Sequence, residues 1–154
     1  MSTRAIKFLK QRQIPFNILK YDHLEKGAAF AAQATGVALE RTIKTLVVDS
    51  QPKGYYLALM AGDRQLSLKK MAKACGVKRA AMTDTATAER LTGYLVGGIS
   101  PFATRQRLPV IMESALLKHP EVVINAGQRG TMLGMAPAEI LKVLSGKTAD
   151  ISEP

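Results

Sequence analysis

Residues 42–49 read TIKTLVVD and residues 55–61 read YYLALMA. The first run is short and β-branched, and both of its alternating sets are largely apolar, as in a strand covered on both faces. Ser50 to Gly54 between them contains Pro52 and Gly54, a turn composition, so the two runs are expected to pair as a hairpin. Upstream, Thr3 is placed to cap a helix whose Ala5, Ile6, Phe8 and Leu9 share a broad face. Ile14-Pro15 should end it, because proline drives its predecessor out of the helical region. Residues 16–21 then read as a strand, and the alanine-rich 27–35 as a helix closed by Gly36. Downstream, Ser67 is a good cap for a helix over 68–75. There Leu68, Met71, Ala72 and Cys75 recur at helical spacing, with Lys69, Lys70 and Lys73 opposite and Gly76 as the stop. A short strand at 78–82 precedes a helix over 85–92, which starts at Asp84 and ends at Gly93. After an irregular stretch, strands are expected near 109–113, 121–125 and 131–135, with a helical turn at 115–119. Pro137 opens a last helix to Ser145, stopped by Gly146. Strands and helices interleave, and hairpins join several strand pairs. The fold class expected is mixed α/β, a sheet with helices packed around it.

The chain has 154 residues, 47% of them hydrophobic. That length and apolar content fit one domain, 1–154, with a real core. Lysine and arginine total 22 against 12 acids, a net charge of +10, which predicts a polyanionic partner, nucleic acid before a membrane surface. A single cysteine excludes a disulfide framework, an iron–sulfur cluster or a cysteine-rich zinc site. It fits a reducing, cytoplasmic setting. No run approaches the roughly 20 apolar residues that span a bilayer. Arg4, Lys7, Lys10 and Arg12 are spaced by apolar residues, which reads as an amphipathic helix rather than a signal peptide.

The chemistry is defined partly by what is missing. His23 and His119 are the only histidines, and neither has metal-type spacing with Cys75 or a carboxylate. Each reads as a solvated loop residue, and Cys75 as core. There is no dinucleotide fingerprint, no phosphate-binding loop and no nucleophile elbow, so no cofactor and no metal are expected. Lys44 is the unusual residue. It shares a strand face with Leu46 and Val48, so it must reach an anion or snorkel out to a partner such as Asp49 or Glu40. Gly97-Gly98-Ile99-Ser100-Pro101 could be an ordinary glycine turn, or a loop whose amides hold a developing oxyanion. Residues 125–130, NAGQRG, read as a hairpin turn that presents Arg129. From Arg64 to Arg107, nine basic residues face only Asp84 and Glu89, so +7 of the +10 lies there. That one-sidedness favours a surface for phosphate backbone over a merely solvated face.

Taken in order, these features resemble the YbaK/prolyl-tRNA synthetase editing-domain family. The resemblance runs from about Ala5 to Ile151. It is carried by residues 14–16 (IPF), 21–23 (YDH), 43–48 (IKTLVV), 68–73 (LKKMAK) and 107–109 (RLP), by 127–130 (GQRG) and 149–151 (ADI), and most specifically by 92–101 (TGYLVGGISP). Ala103 stands where that pattern commonly has Gly, Ala126 where it has the first Gly of a turn, and Met132 where a polar residue is frequent. The segment 24–36 is shorter than is usual there.

The resemblance implies a compact mixed α/β fold with a mostly antiparallel, partly closed sheet. It implies hydrolysis in trans of the ester joining a wrong amino acid to the terminal adenosine of tRNA, most of all Cys-tRNA(Pro), with Ala or Ser as alternatives. Carried over by position, Lys44 would orient the acylated adenosine, Tyr21 would line the pocket, and Gly97 to Ser100 would form its backbone floor. Gly97 and Gly98 are thus candidate catalytic residues beside Lys44. Ile99, Ser100, Pro101 and Arg129 are candidate substrate contacts. Lys69, Lys70, Lys73, Arg105 and Arg107 are candidate tRNA contacts. A prolyl-tRNA synthetase is the implied protein partner. An aminoacyl ester is already activated, so positioning and oxyanion stabilisation suffice without a side-chain nucleophile. In the Cys-specific branch, the substrate thiol is the implied attacking group. Two other readings explain the charge. A non-catalytic tRNA- or synthetase-binding module would bind RNA without turnover. A membrane-surface protein is a poorer fit, because the 68–75 helix is short and lacks large aromatics.

Overall fold

The computed structural model describes residues 2–22, 32–33 and 35–154. The helix expected over 27–35 falls largely outside them, as do His23 and most of the short 24–36 segment. Helix α1 (Arg4–Gln11) is capped by Thr3, whose Oγ1 accepts from the Ile6 amide. The same hydroxyl donates to Ala126 O at 2.6 Å, which pins the helix start to a distant strand. The helix ends three residues earlier than Ile14-Pro15 predicts. Arg12 closes it and Gln13 takes a left-handed φ of +58°. Strand β1 (Asn17–Lys20) follows.

Strands β2 (Ile43–Asp49) and β3 (Tyr55–Ala61) form the expected antiparallel hairpin. Their alternation explains why both sets are apolar. Ile43, Val47, Leu57 and Leu59 enter the main core with Ile6, Leu9, Leu91 and Ile140. Val48, Ala58 and Met60 enter a second core with Met71, Cys75 and Ile111. A side chain of this size contributes about 1.5–3 kcal/mol when fully buried, so β2 and β3 are secured from both sides.

Helix α2 (Leu68–Cys75) covers the second core, capped by Ser67 and stopped by Gly76 in the left-handed region. Strand β4 (Ala81–Met82) is shorter than the 78–82 expected. Helix α3 (Thr85–Thr92) runs from the Asp84 cap to Gly93. Strand β5 (Val110–Glu113), a short 3-10 turn (Ser114–Lys118), β6 (Val122–Gln128) and β7 (Thr131–Met135) come next. Helix α4 (Pro137–Leu144) begins at the predicted proline, but Ser145, not Gly146, turns left-handed to end it.

The fold is mixed α/β and most strand pairs are antiparallel, as expected. The strands make two sheets rather than one. One has the order β1-β7-β6, and the other the order β4-β2-β3-β5-β8. A parallel bridge between Thr42 and Val123 joins them at the start of β2. Strand β8 (Lys147–Ala149) is not anticipated from the sequence. It is three residues long and owes its existence to parallel pairing with β5, a contact between segments far apart in the chain. No helix among the described residues is long and apolar enough to cross a membrane.

Candidate active site

A cavity of about 360 Å³ opens where β2 passes between the two sheets. That volume is within the range of small-molecule sites. Strand β2 supplies consecutive residues Ile43 to Val47, Lys44 and Thr45 among them. The β4–α3 junction supplies Met82, Thr83, Asp84 and Thr85. The glycine loop supplies Val96, Gly97 and Ile99, and Tyr21 just after β1, Asn125 of β6 and Met132 of β7 add to the wall. Four separated candidates thus converge: Tyr21, Lys44, Gly97 and Ile99. The wall is mostly apolar, and the described residues lining it include no Cys, His or Ser.

Lys44 reaches neither Asp49 nor Glu40. Its Nζ donates to the Arg64 carbonyl at 2.6 Å. Burial lowers the affinity of this amine for its proton, and the negative charge of Asp63 opposes that in part. One donor of the ammonium is spent on Arg64 and two remain for a ligand.

The glycine loop is rigidly tied. The Val96 amide donates to Glu89 Oε2 at 2.8 Å, and the Asn125 side-chain amide donates to Gly97 O at 3.2 Å. The Tyr94 hydroxyl donates to Phe102 O. Burial raises the Tyr94 pKa despite the nearby Arg4, so this donor keeps its proton. The paired glycines are required for different reasons. Gly97 has φ +96°, a conformation that L side chains rarely adopt. Gly98 has no such angle, but it is buried against the backbone of Gln128 and Arg129.

Several expectations shift here. The Gly98 amide donates to Leu95 O at 2.9 Å within the turn, so it is already spent and is not a ready oxyanion donor. Ser100 is wholly buried, its hydroxyl accepting from the Phe102 amide. Pro101 lines a different cavity of about 280 Å³ beside Phe8, Arg12 and Arg107. The structure therefore places Gly98, Ser100 and Pro101 in support of the loop rather than on the cavity wall. The chain reverses inward at Ile99, which alone of residues 98–101 lines the wall. Arg129 packs over Gly97, where an added Cβ would lie 2.6 Å from its Nε.

The candidate RNA-contacting residues lie on α2 and in the segment after the glycine loop. Lys69 and Lys73 are exposed on α2, whereas Lys70 pairs with Asp150 at 2.9 Å. Arg105 and Arg107 are exposed after the glycine loop, Arg107 at the second cavity. Cys75 is buried in the second core, as its helical spacing implies. No group of His, Cys, Asp or Glu among the described residues could hold a metal ion.

Sequence reasoning misses Thr45, Asp84 and Asn125 as site residues. Thr45 Oγ1 is the one buried side-chain polar atom without a hydrogen bond among the described residues. Asp84 was legible only as a helix cap, a role it keeps by accepting from the Thr87 amide at 2.7 Å. Asn125 Oδ1 accepts from the amides of Gly127 and Gln128 while its Nδ2 holds Gly97 O. The Asn-x-Gly spacing, an Asx-turn signature, was the available signal.

An aminoacyl-tRNA editing domain profile matches residues 25–143. EbsC of Enterococcus faecalis, named for Cys-tRNA(Pro)/Cys-tRNA(Cys) deacylation, is 31% identical over 154 residues, covering 97% of this chain and 93% of that one. The multifunctional Ser/Thr-tRNA deacylase ProXp-y of Escherichia coli K12 is 28% identical, with coverages of 91% and 86%. A crystal structure described as a trans-editing enzyme for prolyl tRNA synthetase superposes with a TM-score of 0.89 at 27% identity, covering 100% and 99% of the two chains. The chain belongs to the aminoacyl-tRNA editing domain family, whose relatives include named tRNA deacylases.

Proposed function

We propose that this chain hydrolyses, in trans, the ester of a mischarged tRNA, with Cys-tRNA(Pro) as the preferred substrate. One observation carries the reading: a mostly apolar cavity of about 360 Å³ with Lys44 in one wall and the Gly97–Asn125 contact in another. A cysteinyl side chain suits such a wall, and the EbsC relative bears a cysteinyl name. The two free donors of Lys44 would hold the acylated ribose end or the ester oxygen. The fixed loop would restrict the ester to a reactive pose. With no Cys, His or Ser among the described residues of the lining, the attacking group would be water or the substrate's own thiol. The lysine then contributes charge and position, not proton abstraction.

Exposed Lys69, Lys73, Arg105 and Arg107 would engage the tRNA backbone. A prolyl-tRNA synthetase would help select tRNA(Pro), since so small a domain offers limited surface for reading a whole tRNA. A hydroxylated substrate is the second reading. It is favoured by the unpartnered Thr45 hydroxyl in the wall and by the Ser/Thr name of the second relative.

The test is amino-acid release from purified Cys-tRNA(Pro), Ala-tRNA(Pro), Ser-tRNA and Thr-tRNA in parallel. Cys-tRNA(Pro) should be cleared fastest, and Lys44→Ala should slow it about 100-fold. Undiminished activity in Lys44→Ala would remove that residue's role. Binding without turnover on every substrate would leave only an RNA-binding module.

A further inference from the structure

The charged group buried most deeply among the described residues lies outside the cavity. Glu113, at the end of β5, is 2% exposed. Its two oxygens collect donors from both directions. Oε2 accepts from the Ala115 amide at 2.6 Å and from Ser114 Oγ at 3.4 Å. Oε1 accepts from the Ile151 amide at 3.0 Å and from Ser152 Oγ at 2.8 Å. A buried carboxylate is costly unless fully bonded, and one of this one's two oxygens is bonded by gripping the segment that follows β8.

That segment grips another in turn. The Ser67 amide donates to Ile151 O at 2.7 Å, and the Glu153 amide donates to Gln65 O at 2.8 Å. Leu66 and Ser152 form an antiparallel bridge, and Lys70 pairs with Asp150. The clamped stretch 65–67 directly follows Arg64, whose carbonyl receives the Lys44 ammonium. At the other end, the Arg64 amide donates to Ala61 O and the Gly62 amide to Thr42 O. The loop that aims Lys44 is therefore held by β2 and β3 on one side and by the Glu113-anchored tail on the other.

We propose that Glu113 is a positioning residue for Lys44, acting through Ile151 and Ser152 on the 63–67 loop. The proposal rests on the catalytic reading of Lys44 for its effect on rate, but not for its effect on Lys44 itself. Glutamine cannot replace this carboxylate. Its amide has one acceptor oxygen and sets an NH₂ group against amide or hydroxyl donors, in either orientation. Releasing the tail lets the loop open, so the Arg64 carbonyl leaves Lys44 and water reaches the amine. Among the described residues, the titratable and charged groups around Lys44 are Asp63 and Arg64 on the loop and Asp84 and Tyr21 on the cavity wall. All are unchanged in the variants below.

The experiment follows the Lys44 Cε resonance across a pH titration in Glu113→Gln, Ser152→Ala and the parent chain. Kinetics on the best mischarged tRNA are measured alongside. Ile140→Val, on the buried face of α4, controls for loss of stability. In both tail variants the Lys44 midpoint should move up towards the ordinary lysine value. kcat should fall about tenfold, with KM changing less than about twofold. Ile140→Val should lower Tm and leave the Lys44 titration alone. The proposal is overturned if folded Glu113→Gln and Ser152→Ala titrate Lys44 as the parent does, or if Ile140→Val moves it equally. Should Glu113→Gln not fold, Ser152→Ala decides. A parent chain inactive on every tRNA would refute the deacylase reading, while the titration would still decide the positioning claim.

Discussion

Replacing Gly98 by alanine would test how the glycine loop seats on the β6–β7 hairpin. The new Cβ would lie 3.0 Å from the Arg129 amide nitrogen and 3.1 Å from both C and Cα of Gln128. All three are backbone atoms, so no side-chain rotation relieves the contact, and the loop and hairpin must separate by a few tenths of an ångström. Overpacking of this kind costs about 1–3 kcal/mol. For a domain of this length each kcal/mol lowers Tm by about 2–4 °C, so a loss of roughly 2–12 °C is expected by thermal denaturation. Separation would also loosen the Asn125–Gly97 hydrogen bond, so kcat on the mischarged tRNA should fall more than stability alone explains. Gly97→Ala gives the contrast. Its Cβ would meet the flexible Arg129 side chain, and its cost would come from forcing φ +96° on an L residue. A Gly98→Ala protein that melts within 1 °C of the parent and keeps full activity would refute the tight seating.

Three other outcomes follow from local geometry. Ala103 adopts φ +55° without being glycine, so Ala103→Gly should stabilise the chain by about 0.5–1 kcal/mol, read as a small rise in Tm. For Glu113, burial pushes the pKa up but the hydrogen bonds from Ala115, Ser152 and Ile151 outweigh it, and the net value is lowered. Its contribution is therefore present above the ordinary glutamate range and is lost as pH falls through the depressed folded value. Tm should drop on acidification from pH 5 to 3, less steeply in Glu113→Gln. Lys69→Ala combined with Lys73→Ala should weaken tRNA binding and reduce the slope of log affinity against log salt by about 2. An unchanged slope would place the RNA elsewhere.

The hairpin of β2 and β3, the caps Thr3, Ser67 and Asp84, and the Gly76 and Gly93 stops were all legible because they depend on residues within a few positions of one another. So were the presence of Lys44 on an apolar strand and the glycine pair itself, though not that Gly98 packs against the backbone of Gln128 and Arg129. The partners were not legible. Lys44 bonds to a carbonyl 20 positions away, Asn125 to a carbonyl 28 positions away, and Glu113 to Ile151 and Ser152 across 38 and 39 positions. Ala103 was visible as a departure from a glycine pattern, but only the backbone angle showed what the glycine is for. Local spacing fixes which residues can start, stop or face a core. Which buried polar group satisfies which other is set when the two sheets meet, because every desolvated donor and acceptor must then find a partner wherever the chain has brought one. By itself the sequence determined most of the described elements, β8 excepted, and the family resemblance. The tertiary structure decided that Ile99 and not Ser100 faces the cavity, and that the chain's last residues help hold the loop to which Lys44 is bound.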